Sequence, residues 1–535
     1  PSHRLALLTE FVQEQVAKTL GSNPSDLEVQ EPLKNMGLDS LMVIELKNSL
    51  ETGLGVEVPA EGMGEELTIA SLAAQIDQQM ARPGQSLADA PPAAAAQEPE
   101  PAPTPARPAT APAPEAGADG SEVAALWSDL AEIPPECWQF SHSPEYRQLD
   151  RQLAQFKTYG INNPYFMAHQ RVTRDTTVIE GRELISFDSY NYLGMSGDPA
   201  VSRAAQEAIE RYGTSVSASR MVSGEKPLHR ELEQGIAAFL GVEDAVVFVG
   251  GHSTNETTIG HLFKPGDLIL HDELAHNSII QGCILSGARR RPFPHNDAHA
   301  LERLLGQMRR QYKRVLVAIE GAYSMDGDFP DLPRFIELKK RYKAMLFVDE
   351  AHSIGTMGTT GRGITEHWGA DPRDVDLLMG TLSKSFGSCG GYIAGCKELV
   401  TYLKYRAPGF VYSVGMPPSN AAAALASLRL LQAEPERVAR CQARARLFLQ
   451  LAKERRMNTG TSGETPVIPI ITGNSANAMR LSLAMFARGI NVHPILHPAV
   501  EESAARLRFF VTAMHTEEQI RATIQALDEE LAKLR

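Results

Sequence analysis

The chain has 535 residues, 43% of them hydrophobic, and a formal net charge of −13. That length exceeds one ordinary domain and predicts at least two. The acidic balance speaks against nucleic-acid binding, and no unbroken apolar run is long enough for a membrane span. The opening "PSHRLALLTEFVQEQ" carries charges inside its apolar pattern, unlike a secretory signal, and its lack of a methionine is what an excised part of a longer chain would show. Cys137, Cys283, Cys389, Cys396 and Cys441 follow no CxxC or metal spacing. Reduced thiols, a cytoplasmic location and no metal centre are therefore expected.

In chain order, residues 1–81 show apolar positions at three- and four-residue spacing in "RLALLTEFVQEQVAKTL", "SLMVIELKNSLETGL" and "TIASLAAQIDQQM". That pattern predicts a small all-α bundle. Residues 82–120, which end in "PPAAAAQEPEPAPTPARPATAPAPEAGADG", are Pro/Ala-rich without periodicity and read as a disordered linker. From 121 to 535 the strand-like runs "DAVVFVG", "RVLVAIE", "AMLFVDE" and "VDLLMGT" alternate with helical stretches. The alternation predicts an α/β domain with a mainly parallel sheet.

Active sites of such sheets form beyond the carboxyl ends of the strands, and three of these ends carry chemistry. After "AVVFV", Gly250 and Gly251 open a helix, a geometry that lets backbone N–H groups approach an anion. Asp349 ends "AMLFVD", where a carboxylate needs a cationic or donor partner, and His352 follows it. Lys384 stands in "LLMGTLSKSFG", directly after an apolar run. A phosphate cradle, a carboxylate for a pyridinium nitrogen and an amine for an aldehyde together suit pyridoxal phosphate. In the first segment, Ser40 of "NMGLDSLMVIELKNSLE" sits where a polar loop becomes a helix, which by itself reads first as an N-cap and also suits a phosphodiester.

The wider stretch around Ser40 resembles the attachment motif of polyketide-type acyl carrier proteins, which implies a four-helix bundle with 4'-phosphopantetheine esterified to Ser40. From roughly residue 150 to 535 the chain resembles the α-oxoamine synthases, fold-type I pyridoxal-phosphate enzymes that include serine palmitoyltransferase, aminolevulinate synthase and glycine C-acetyltransferase. "SFDSYNYLGMSGDP", "EGAYSMDGDFPDL", "DEAHSIGTMGTTGRG", "GTLSKSFG" and "RLRFFVTAMHT" carry that resemblance, in order. It implies a large domain with a mainly parallel sheet and a smaller α+β domain.

By position, the resemblance implies that Lys384 binds the cofactor aldehyde and later moves the α-proton. Asp349 then pairs with the pyridinium nitrogen, His352 bonds the phenolic oxygen, and His276 of "DELAHNSII" stacks on the ring. Ser324 lies near the same oxygen, Gly251, His252 and Thr381 hold the phosphate, and Arg508 clamps the amino-acid carboxylate. Arg506 is expected to lie outside direct substrate contact.

Three stretches depart from the family pattern. "YSVGMPP" keeps only Ser413 of a hydroxyl pair that the family donates to the phosphate across a dimer interface. "HPAVEESAARLR" is more acidic than the usual Pro/Gly loop before Arg508, and the tyrosine of "SYNYLG" bears on the amino-acid pocket. Ser219 of "SASRMVSG" lies near the position where the family's Gly-selective members place a threonine, which leaves the amino acid open.

The fusion implies a decarboxylative Claisen-type condensation of an amino acid with an acyl thioester on Ser40's pantetheine, releasing CO2 and a polyketide-type chain as an α-amino ketone. A homodimer with shared active sites, a phosphopantetheinyl transferase and other polyketide synthase modules are the expected partners. The run "ARRRPFP" (Arg289, Arg290, Arg291) is either solvated surface charge or a receiver for the acidic carrier with its Glu45, Glu51 and Glu57. The rival readings are a carrier-linked aminotransferase acting on a β-ketoacyl thioester, and a scaffold subunit with a dead site. The presence of Lys384 opposes the second.

Overall fold

The structure, a computed structural model, describes residues 2–20, 24, 27–33, 36, 46–47, 50, 54, 67–80, 133–158 and 165–534. Ser40, most of the expected helix after it, and the linker lie outside the described residues. In the first segment the helices Ser2–Leu20 and Ile69–Met80 pack through Val12, Val16, Leu72 and Ile76, all buried. Arg4 and Asp77 tie their exposed faces at 2.5 Å. Met36, Leu46 and Leu50 belong to the same core, as the three- and four-residue spacing requires.

The described residues 133–158 and 165–167 fall in a unit separate from the rest. Its described part holds the helix Pro144–Thr158 and two short 3-10 turns before it, with Phe140 against Tyr146.

The α/β segment begins with the hairpin β1 (Thr176–Ile179) and β2 (Arg182–Ser186). Seven strands then form the main sheet: β3 (Asp244–Phe248), β4 (Leu268–Asp272), β5 (Arg289–Phe293), β6 (Val315–Glu320), β7 (Met345–Asp349), β8 (Leu377–Thr381) and β9 (Gly391–Gly395). Their spatial order is β3-β9-β8-β7-β6-β4-β5, and all neighbours run parallel except those of β9. Alternate residues enter two cores: Leu270, Val317 and Val348 face one, while Ile269, Ala318 and Phe347 face the other. Helices cover both faces, so the inner strands β6, β7 and β8 read as nearly continuous apolar runs. That is why these runs were readable in the sequence.

The smaller domain contains β10 (Val467–Ile471), β11 (Ile490–Asn491), β12 (Pro494–Ile495) and β13 (Arg506–Phe510). β13 lies between β10 and β12 in an antiparallel sheet, and β11 extends the β1–β2 hairpin. Phe187, Phe448, Phe509 and Leu527 are central to its core. No helix among the described residues is long and apolar enough to cross a membrane.

Candidate active site

The parallel strands deliver their carboxyl ends to one place. Asp349, the last residue of β7, is buried and accepts from Asn255 Nδ2 at 2.8 Å and from the Ala351 amide at 2.9 Å. Asn255 also donates to Ser278 Oγ at 2.8 Å, whose hydroxyl lies 2.7 Å from His276 Nδ1. One buried amide thus links Asp349 to His276. The His276 backbone N–H in turn donates to Glu320 Oε1, at the end of β6, at 2.6 Å. Burial pushes the Glu320 carboxyl well above the ordinary range, reinforced by the charge of Asp349, and burial lowers His276.

Lys384 follows β8 and its Nζ lies 2.8 Å from His352 Nε2. His352 Nδ1 is 2.8 Å from the hydroxyl of Tyr192, itself fully buried. Burial holds His352 far below its usual pKa, so the ring is neutral, and the lysine ammonium donates to Nε2. Nδ1 then carries the proton and donates to Tyr192. Burial also pushes Lys384 down to about 8, against the opposing pull of Asp349 and Glu320. An amine with that pKa is partly free at neutral pH, which a nucleophile toward an aldehyde requires.

At the start of the helix Gly251–Leu262, a side chain on Gly251 would put its Cβ 2.8 Å from Thr381 Oγ1. The glycine therefore keeps open a cradle between two predicted phosphate residues. His252 stands on the same first turn, exposed, with its ring 6.1 Å from that of His276. Arg508 on β13 donates Nη1 to the Ser324 carbonyl at 3.0 Å and lies over the Phe510 ring, while its Nε is buried without a partner. Arg506 is engaged elsewhere, by Asp326 at 2.5 Å and the Met325 carbonyl at 3.0 Å. The turn that carries Ser324 is anchored by His295, which bridges Asp272 at 2.8 Å and Asp328 at 3.0 Å. Burial disfavours this imidazolium, but the two carboxylates outweigh it and lift His295 to about 10.

The structure brings together Lys384 and His352, Gly251 and Thr381, Asp349 and His276, and Ser324 and Arg508. Ser413 is not joined to them: its hydroxyl bonds the adjacent Val414 carbonyl in the 411–415 loop. Sequence reasoning missed Asn255, Glu320 and Tyr192. Glu320 did carry a signal, a carboxylate at the end of an apolar strand, the same signature as Asp349.

Comparison with known protein families places this geometry. The pattern described as aminotransferase class I and II matches residues 182–527, and the phosphopantetheine attachment site matches residues 10–76. The chain belongs to the class I and II aminotransferase family. It is 40% identical to the 8-amino-7-oxononanoate synthase of Symbiobacterium thermophilum, over 72% of this chain and 95% of that protein. It is likewise 40% identical to human serine palmitoyltransferase 3, over 68% of this chain and 70% of the relative. Among solved structures, a serine palmitoyltransferase from S. paucimobilis with a bound PLP–myriocin aldimine superimposes with a TM-score of 0.70 at 29% identity, covering 73% of this chain and 98% of that one. These relatives are α-oxoamine synthases, and the chain is a fold-type I, pyridoxal-phosphate-dependent acyl-transferring enzyme with a phosphopantetheine attachment domain in front.

The residues present fit pyridoxal phosphate. Asp349 is a buried carboxylate held by two neutral donors, a charge that suits a cationic ring nitrogen. The Gly251–Thr381 cradle suits the phosphate, and the partnerless Nε of Arg508 suits a carboxylate.

Proposed function

We propose that this enzyme condenses an amino acid with an acyl thioester carried on the pantetheine of Ser40, releasing CO2 and an α-amino ketone, as the step that elongates and frees a polyketide-type chain. The observation that carries this is the Lys384 amine 2.8 Å from His352 Nε2, at the same strand ends as the buried Asp349.

When bound, pyridoxal phosphate supplies an electron sink for charge developing on the amino-acid α-carbon. Asp349 holds the ring nitrogen protonated, with Asn255 fixing the carboxylate. Gly251, His252 and Thr381 hold the phosphate, and His352 and Ser324 face the phenolic oxygen. Arg508 binds the substrate carboxylate through its free guanidinium edge, a planar fork suited to the task. Lys384 takes the α-proton, and His276 orients the acyl donor. In the net reaction the thioester C–S bond breaks, a C–C bond forms at the α-carbon, and the carrier thiol leaves with a proton. The carboxylate then departs as CO2 and a proton replaces it.

Residues 1–81 act as the carrier, 82–120 as its tether and 121–535 as the synthase. The tether's root-mean-square reach of roughly 34 Å for about 38 residues gives effective concentrations of order mM. We assign Ser413 to the partner subunit's phosphate site in a homodimer. In support, exposed Tyr412 and Val414 adjoin exposed Val222 through bonds from Ser219 Oγ to the Val411 carbonyl and from the Gly415 amide to Ala218. The test is a panel of amino acids offered to acyl-loaded protein: CO2 release without a keto-acid co-product is expected. A keto acid formed without CO2 would instead identify a carrier-linked aminotransferase.

A further inference from the structure

We propose that strand β5 is the docking surface for the carrier domain of the same chain, gripped by Arg289 and Arg291. β5 is an edge of the main sheet, paired only with β4, and three of its five residues are arginine. Exposed edge strands invite pairing with other chains, and charge is one way in which proteins guard them. Here the arginines are half-buried rather than splayed into solvent. The guanidinium of Arg291 donates Nη2 to the backbone carbonyl of Met36 at 3.0 Å, across 255 positions of sequence. Met36 belongs to the core of the carrier domain and stands four positions before Ser40.

Charge makes the occupant specific. Thirteen acidic and four basic residues lie within the first 81, so most of the chain's net negative charge sits on the carrier. Arg289 and Arg291 are two apart on one strand and therefore share a face. Burial, then the charge of Arg289, pushes the Arg291 guanidinium below its ordinary range. The Nε of Arg289 is buried with no acceptor. Two like charges in this setting are costly until an anionic surface covers them, and electrostatic complementarity of this kind fixes register as well as encounter. Arg289 lies at the start of β5, whereas Glu320 and Asp349 close β6 and β7 at the opposite ends of these parallel strands. The dock therefore parks the carrier beside the sheet, away from Lys384, and the acyl group travels to the active site after release.

This inference rests on residues 1–81 being the acyl carrier, and its test needs no turnover. Small-angle scattering and hydrogen exchange are measured on the full chain, for the wild type, the Arg289→Glu/Arg291→Glu variant and the Arg289→Lys/Arg291→Lys variant. In the charge-reversed protein the carrier is expected to sample the tether's roughly 34 Å reach, so the radius of gyration rises. Amides of residues 27–36 should exchange faster, and high salt should produce both changes in the wild type. The lysine variant should stay closer to the wild type. Retained visible absorbance of bound cofactor shows that the catalytic fold survived the substitutions. A radius of gyration and an exchange pattern identical in all three proteins would overturn the dock. Loss of condensation with an intact docking response would overturn the proposed function alone.

Discussion

Raising the pH over the cofactor-free protein tests the environment of Lys384. An unperturbed lysine has a pKa near 10.4, so raising the pH from 7 to 9 increases its neutral fraction about 100-fold, with no plateau. Burial brings Lys384 down to about 8, opposed by Asp349 and Glu320. About one tenth of the amine is then free at pH 7 and about nine tenths at pH 9, a rise of only about tenfold that levels off. His352, the lysine's hydrogen-bond partner, is held far below its ordinary range and stays neutral throughout this window. The rate of pyridoxal phosphate capture, followed by stopped-flow visible absorbance, should trace that single curve. Asp349→Asn removes a charge that raises the lysine's pKa, so its plateau should begin at lower pH. A capture rate that climbs tenfold per pH unit beyond pH 9 would refute the claim that burial has activated this amine.

Arg508→Lys keeps the charge but loses the fork, and should weaken amino-acid binding by about 1.5–3 kcal/mol in spectroscopic titrations; Arg506→Lys, whose partner is Asp326, should leave that affinity nearly unchanged. His295→Ala leaves the buried Asp272 without its cation and should cost about 3–5 kcal/mol in denaturant unfolding. The folded-state pKa of His295 is raised, so its contribution is complete below about 6.5 and is lost as pH rises through about 10. Tyr192→Phe strips the acceptor from His352 Nδ1, which frees the imidazole to change tautomer; it should shift the pH dependence of the bound cofactor's spectrum while leaving cofactor affinity largely intact. Ser40→Ala should abolish phosphopantetheinylation, read by intact mass, and spare cofactor binding, because the two functions occupy separate domains.

Much of the site was legible because it obeys local rules. Asp349 and Lys384 stand at the carboxyl ends of apolar strands, and the glycines at 250 and 251 mark a helix start after a strand. What escaped was built from distant pairs. Asn255 meets Asp349 across 94 positions, and Tyr192 meets His352 across 160. An asparagine inside a helix and a tyrosine in the loop after β2 carry no mark of such partners until the sheet has brought them together. The smaller domain was also hard to read, since β11 and β12 have two residues each and gain their place from neighbours rather than from a pattern of their own. The edge arginines admitted two readings in sequence, and the proposed dock takes up the second from the bond between Arg291 and the Met36 carbonyl.

The most direct measurement is intact-protein mass spectrometry of the chain carrying an acylated pantetheine, before and after an amino acid is added. The account predicts that the mass of the acyl group leaves the protein, reappears in an α-amino ketone lacking the amino acid's carboxyl carbon, and stays in place in Lys384→Ala. Departure of the acyl group as a free acid, or its transfer at an unchanged rate in Lys384→Ala, would contradict it.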